Sequence, residues 1–486
     1  KEVQAPENFY NAGEEKTVTL SYAGQNVETV FSESTFVNDR QKAEVSVLKK
    51  DKDTLNPLDG GVFGLYAGSE IKNADGSVVV SKGTLIEKAV TGENGKAVFT
   101  ADLPIGFSYD VKEIQAPEGY VRNQADVYSF TFSYTNDSEA KVTFTHTFTN
   151  ERVNATIRLQ KKDAETNQVA PQGDATLENA VYGLYAREDI VHPDGATGVI
   201  YKAGDRVATL TTDENGEASA ENLYLGEYFI KEITPPVGYL ADEQEHDLMC
   251  SYEGDLTATV ERECVSLEQV KKQPFEIIKA ANNGETDADL LSGAGFTAYL
   301  LSDLTVKEDG SYDFDSAEPV VIGENGATEM FTDEKGHACS IALPYGTYLV
   351  RETTTPHNYK PVDDFIVRIS EHSPNTPQVW RVLLDEEFEA KLKIIKQDDE
   401  TKKPVLQEGT EFRIYDLDNK EYVEQVTTYP TTEVHTSFFT DEEGYLILPQ
   451  NLAIGHYRIE EVTAPYGYTL NENYYEIAVD SDTAYQ

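Results

Sequence analysis

A glutamate-bearing strand that stops at proline recurs at domain-sized intervals along this chain. The copy from Val111 to Tyr120 reads Val-Lys-Glu-Ile-Gln-Ala-Pro-Glu-Gly-Tyr, and related phrases surround Pro6, Pro235, Pro356 and Pro465. Each holds a glutamate at the same place: Glu2, Glu113, Glu232, Glu352 and Glu461. Successive copies are about 110 to 120 residues apart, a common size for one independently folding domain. Proline has no amide hydrogen for a ladder, so it ends the strand that carries the glutamate. The repeat predicts domains at 42–151, 152–270, 271–388 and 389–486, preceded at 1–41 by the C-terminal part of another unit. Joins such as Glu151-Arg152-Val153-Asn154 lack the Gly/Ser or Pro-rich runs of flexible linkers, which predicts an elongated, semi-stiff rod.

Between the repeats, short runs of Val, Ile, Thr, Tyr and Phe alternate with polar residues and are punctuated by Gly, Pro, Asp and Asn, an all-β pattern. Each unit opens on an alternating strand ending in lysine: Val45 to Lys49, Ile157 to Lys161, Phe275 to Lys279 and Leu392 to Lys396. An aromatic strand follows, beginning at Phe63, Tyr182, Phe296 or Phe412. After a variable middle comes a turn closed by Gly95, Gly216, Gly336 or Gly444, whose glycine can take a positive φ; a β-hairpin is the economical reading. With 87 acidic residues against 40 Lys plus Arg, a formal charge of −47, nucleic acid and anionic membrane are excluded as partners. No apolar run approaches the ~18 residues of a membrane span. Three cysteines cannot brace four domains with disulfides; Cys250 and Cys264 are either a cross-strand pair or free buried thiols.

Side chains two apart on a strand share a face. With Val45 and Val47 turned to the core, Lys49 points inward too, and the same parity buries Glu113 with Tyr109 and Val111. It also selects Lys161, Lys279 and Lys396, and Glu232, Glu352 and Glu461. Buried lysine and buried glutamate are both uncommon, and four domains place both. A third group closes the unit. Asn150 ends Thr-His-Thr-Phe-Thr-Asn and Asn38 ends Thr-Phe-Val-Asn, each eleven residues before an inward lysine.

A Val-x-Val-x-Lys first strand, a Tyr-x-Val-x-Glu strand running into Ala-Pro-x-Gly-Tyr, and a Phe-Thr-Asn last strand together resemble the Cna protein B-type, or SpaA-like, domains of Gram-positive surface adhesins and pilins. The resemblance covers essentially the whole chain. It implies tandem prealbumin-like, reverse-immunoglobulin-like β-sandwiches in which lysine and asparagine join as an intramolecular isopeptide bond with help from the glutamate. Burial disfavours charge on both lysine and glutamate, so a neutral amine can attack the carboxamide while the protonated acid polarises the carbonyl and shuttles a proton.

In the first full domain the set is Lys49, Glu113 and Asn150. In 271–388 the eleven-residue count lands on Asp385, making a Lys279–Asp385 bond assisted by Glu352, with loss of water. In 152–270 it reaches Glu268, beside Gln269, and a Lys161–Glu232 salt bridge is expected instead. Lys396 and Glu461 have no closing strand before Gln486, whereas Glu2 and Asn38 have no lysine strand; both ends read as cuts through a longer array, and Asn38 of one copy could complete the last domain of another.

No metal or cofactor is expected. The eight histidines are scattered, and the Asp309 to Asp315 loop lacks the glycine and distal glutamate of a calcium loop. Catalysis on external substrates is not expected either, since bond formation happens once per domain. The chain reads as an extracellular, cell-wall-attached stalk, with anchor and signal peptide outside this fragment, as a monomeric rod or part of a covalent surface polymer. The rival reading is recognition of a host extracellular protein, a matrix glycoprotein or immunoglobulin, by the divergent stretches 67–90, 186–210 and 300–330.

Overall fold

Alternation becomes paired sheets in every repeat. The structure, a computed structural model, describes residues 1–282 and 289–483, which divide into two compact units. The first comprises 1–170, 177–237 and 241–268; the second comprises the remainder.

In the first unit, strand Lys42–Asp51 runs between an antiparallel neighbour, Lys96–Phe99, and a parallel one, Lys141–Asn150. A four-stranded antiparallel sheet supplies the other half of the core, in the order Leu85–Val90, Val62–Ala67, Phe107–Gln115, Val127–Phe132. Val45, Val47, Phe63, Leu65, Tyr109, Val111 and Phe148 pack together between the two sheets, as strand parity requires. The next domain repeats this plan. Asn154–Asp163 lies between Glu217–Leu223 and Thr259–Glu268, and the four-stranded sheet runs Arg206–Thr211, Val181–Ala186, Gly226–Thr234, Glu245–Cys250.

In the second unit, Glu276–Ala281 is flanked by His337–Cys339 and, in parallel, Arg381–Asp385. Gly295–Leu300 and Gly346–Thr354 form the centre of its four-stranded sheet. The last domain has a short first strand, Lys393–Ile395, paired with Tyr445–Ile447 alone among the described residues. Its larger sheet is built on Glu411–Asp416, Gly455–Thr463 and Tyr475–Val479. Four separate apolar clusters, one per domain, form the cores. A tyrosine locks each sandwich in the same way: Tyr109, Tyr228, Tyr348 and Tyr457 donate their hydroxyls to the carbonyls of Pro104, Tyr224, Pro344 and Ala453, at 2.6–2.9 Å.

Two expectations change. The Gly92–Gly95 turn closes on itself, Gly95 N donating to Gly92 O at 2.7 Å, but it does not join a hairpin. The strand before it pairs with Val62–Ala67 and the strand after it with Lys42–Asp51, so the turn carries the chain from one sheet to the other. Alternation fixes which face of a strand is buried and leaves its hydrogen-bonding neighbour open. Residues 31–38 form no strand. Among the described residues no helix is long and apolar enough to cross a membrane.

Candidate functional site

The parallel pairing of first and closing strands sets the chemistry. In the first domain Asp51 lies opposite Asn150 and Lys49 opposite Phe148, which brings the Asn150 side chain under the lysine. Phe63 pairs with Glu113 across the other sheet and delivers the acid from the opposite side. Lys49, Glu113 and Asn150 are 0 %, 7 % and 1 % exposed, so no bulk water competes for them. Lys49 Nζ lies 2.8 Å from Glu113 Oε1, Asn150 Nδ2 donates to the same oxygen at 3.0 Å, and Lys49 Nζ touches Asn150 Oδ1. One carboxylate oxygen thus sits between the lysine amine and the carboxamide nitrogen, a geometry suited to passing a proton from one to the other. Burial pulls the Lys49 ammonium below its ordinary value, opposed by the charge of Glu113. The ring of Phe63 stands 5.7 Å from Nζ and packs on Phe148, keeping the floor of the site apolar.

The third domain has the same construction with a carboxylic acid as acceptor. Lys279 lies 2.7 Å from Glu352 Oε2 and touches Asp385, and all three side chains are fully buried. Burial raises Asp385 to about 6; Lys279 opposes the rise and Glu352 adds to it. The acid is held alike in three domains by a backbone amide ten residues on: Asn123 N to Glu113 at 3.3 Å, Asp242 N to Glu232 at 2.7 Å and Val362 N to Glu352 at 2.9 Å.

In the second domain the expected Lys161–Glu232 ion pair is present at 2.9 Å. Glu268 joins it. Register places Glu268 opposite Asp163, as Asn150 is opposite Asp51 and Asp385 opposite Ala281, and its carboxylate touches Lys161 Nζ. Burial lowers Lys161 to about 8 against the pull of Glu232. Lys396 and Glu461 meet at 2.7 Å in the last domain, with Lys396 13 % exposed, beside a groove of about 400 Å³ lined in part by Ile394, Phe412 and Tyr475. Asn38 donates to Glu2 at 2.7 Å, so those two sequence-selected residues also come together, without a lysine.

Two features escaped the sequence reading. The turn glycines are the backbone partners of the lysines: Lys49, Lys161, Lys279 and Lys396 donate their amides to Gly95, Gly216, Gly336 and Gly444 at 2.7–2.9 Å. At Gly95, φ is +69° and a Cβ would strike the Lys49 carbonyl oxygen. Separately, Asp51, His192 and Asp194 gather where the first domain meets the second. Asp194 accepts from Thr54 and Asn56 across the junction and from Thr197 in its own domain, while Asp51 accepts from Tyr120 within the first domain, so Asp194 is the hydrogen-bond anchor between the two. Cys250 and Cys264 are buried free thiols, both pushed up to about 11 by burial.

Four sandwiches of one plan, three of them with a parallel closing strand over a buried lysine, define a tandem of prealbumin-like β-domains. The SpaA prealbumin-like fold domain model matches residues 43–148, 155–263, 274–380 and 390–486, and the chain belongs to that family. It is similar to a collagen adhesin of Staphylococcus aureus, 29 % identical over 208 residues, which are 42 % of this chain and 16 % of the adhesin. Among solved structures it is similar to the Bacillus anthracis TIE protein, at 19 % identity and TM-score 0.33, covering 86 % of this chain and 66 % of that one. It is also similar to BcpA, the major pilin subunit of Bacillus cereus, at 15 % identity and TM-score 0.22, covering 68 % of this chain and 97 % of that one.

Proposed function

We propose that this chain is a length of a Gram-positive cell-surface stalk, of the adhesin or pilus kind, whose first and third domains are each closed by an intramolecular amide. The observation that carries the reading is the dry contact of Lys49, Glu113 and Asn150, three groups whose burial together is costly unless they react or pair. Neutral Lys49 Nζ attacks Asn150 Cγ. The N–Cγ bond forms, the Cγ–Nδ2 bond breaks, and a proton from Nζ passes through Glu113 to Nδ2, which leaves as ammonia. Glu113 ends in the protonation state in which it began. Strand-fixed geometry supplies the proximity, so a single turnover suffices and no external substrate is involved. In the third domain Lys279 and Asp385 condense by the same route under Glu352, with loss of water.

Family membership and the similarity to a collagen adhesin support the surface-stalk part of this reading. Protease digestion and mass spectrometry of the full chain test it. The expected result is a branched peptide joining Lys49 to Asn150 less one ammonia, replaced in Glu113→Ala by two linear peptides. Recovery of Lys49 and Asn150 in linear peptides from the native protein would overturn the covalent reading.

A further inference from the structure

We propose that the second domain is covalently closed as well, by an amide between Lys161 Nζ and Glu268 Cδ, formed between Glu232 and Tyr182. The proposal rests on the same reading of the buried lysines as the first and third domains, and extends it to a glutamate acceptor.

Register is the first support. Three closing strands run parallel to their lysine strands with Asn150, Glu268 and Asp385 at one equivalent position, two residues beyond the site opposite the lysine. Glu268 therefore occupies the acceptor's place on the backbone, and its carboxylate lies against Lys161.

Charge is the second. Lys161, Glu232 and Glu268 are 0 %, 1 % and 1 % exposed at their side chains, and one ammonium with two carboxylates leaves a net negative charge out of water. Burying an uncompensated charge is strongly unfavourable. Uptake of one proton brings the three groups to zero net charge, and condensation of Lys161 with Glu268 then leaves an amide, a water and a protonated Glu232, with no ion to keep out of water.

Tyr182 is the third. Its position on the aromatic strand is Phe63, Phe296 and Phe412 in the other domains, each across the ladder from the acid, as Tyr182 is from Glu232. Only the second domain puts a hydroxyl there. Tyr182 Oη accepts from Lys161 at 2.8 Å, and its one proton faces two acceptors, Glu268 Oε1 at 2.7 Å and Ser266 Oγ at 2.9 Å, of which the carboxylate is the nearer and the stronger; Ser266 gives its own proton to Asp242. A donor aimed at Oε1 stabilises the charge that develops there as the carbon becomes tetrahedral. Glu268 Oε2, by contrast, is buried with no hydrogen-bond partner among the described residues. One oxygen is held to remain as the carbonyl and the other is left to depart.

The step balances without a co-reactant. From neutral Lys161 and protonated Glu268, the Nζ–Cδ bond forms and the Cδ–Oε2 bond breaks. Glu232 relays one Nζ proton to the departing hydroxyl, which leaves as water, and regains its own proton.

Peptide mapping of the native full-length protein tests the proposal. The expected product is a branched peptide joining Lys161 to Glu268, less one water. Glu268→Gln should give the same branched peptide with loss of ammonia. Tyr182→Phe, which installs the residue that the other domains carry, should slow linkage by about 10²-fold in protein followed from the start of folding. If Lys161 and Glu268 come from linear peptides while Lys49 and Asn150 are joined in the same digest, the proposal fails and the stalk reading stands. If neither pair is joined, both fail.

Discussion

In the linkage proposed for the first domain, a single atom of Asn150 decides what is released. Its Nδ2 already donates to the oxygen that faces Lys49, so the leaving group is aligned before any bond forms. Asn150→Asp keeps the acceptor carbon in place and should give the same Lys49 amide with loss of water, read as a linked chain of the same mass as the linked native protein. Asn150→Ala removes the acceptor and leaves Lys49 and Glu113 as a buried ion pair. Residues 49 and 150 are 101 apart, and closing a loop of ~100 residues is worth about 4.7 kcal/mol in the chain-entropy treatment of crosslinks. The first domain of Asn150→Ala should therefore unfold with a stability lower by roughly 3–5 kcal/mol. Calorimetry of Asn150→Ala beside the native protein checks this, and equal transitions would mean that the native residues are not joined.

At the level of elements, strand parity made the inward lysines and glutamates legible, because alternation ties Lys49 to Val45 and Val47 and ties Glu113 to Tyr109 and Val111. The eleven-residue count also found Glu268 and Asp385, since the stretch from each closing strand to the next lysine strand has one length, and register then sets both residues beside their own domain's lysine. What stayed hidden depends on contacts between distant segments. The turn before Lys96–Phe99 looked like a hairpin because local turn chemistry is the same whether the next strand returns to its own sheet or crosses to the other. The junction of Asp51 with His192 and Asp194 brings together two domains' loops, and no spacing rule reaches across them. Tyr182 was visible as a departure from phenylalanine, but its meaning required knowing that this position faces the lysine.

The crossing turn has a measurable consequence. Gly95 gives its carbonyl to the Lys49 amide in a backbone conformation that a Cβ resists, with the Lys49 carbonyl in the way. Gly95→Ala should destabilise the first domain by about 1–3 kcal/mol and reduce the fraction of Lys49 joined to Asn150, because the lysine strand is displaced. Urea unfolding and peptide mapping read the two effects. Full linkage in a destabilised Gly95→Ala protein would separate the glycine's structural part from any part in aligning the lysine.

Across the whole molecule, the proposed links would decide which residues can carry extension when the two ends are pulled apart. In the first domain tension enters through Lys42–Asp51 and leaves through Lys141–Asn150, parallel neighbours loaded at opposite ends. An amide from Lys49 to Asn150 takes the load from one strand to the other and leaves residues 50–149 out of the path. An amide from Lys279 to Asp385 would give the third domain the same bypass, whereas the contact of Lys396 with Glu461 offers no acceptor for such a link. Single-molecule stretching of the native chain should therefore show no unfolding step from the first or third domain. Glu113→Ala should add one step from the first domain of up to about 350 Å, since a loop of ~100 residues spans about 3.5 Å per residue when extended. A native chain that already shows that step, at forces where the last domain opens, would mean that the first domain bears load through its hydrogen bonds alone.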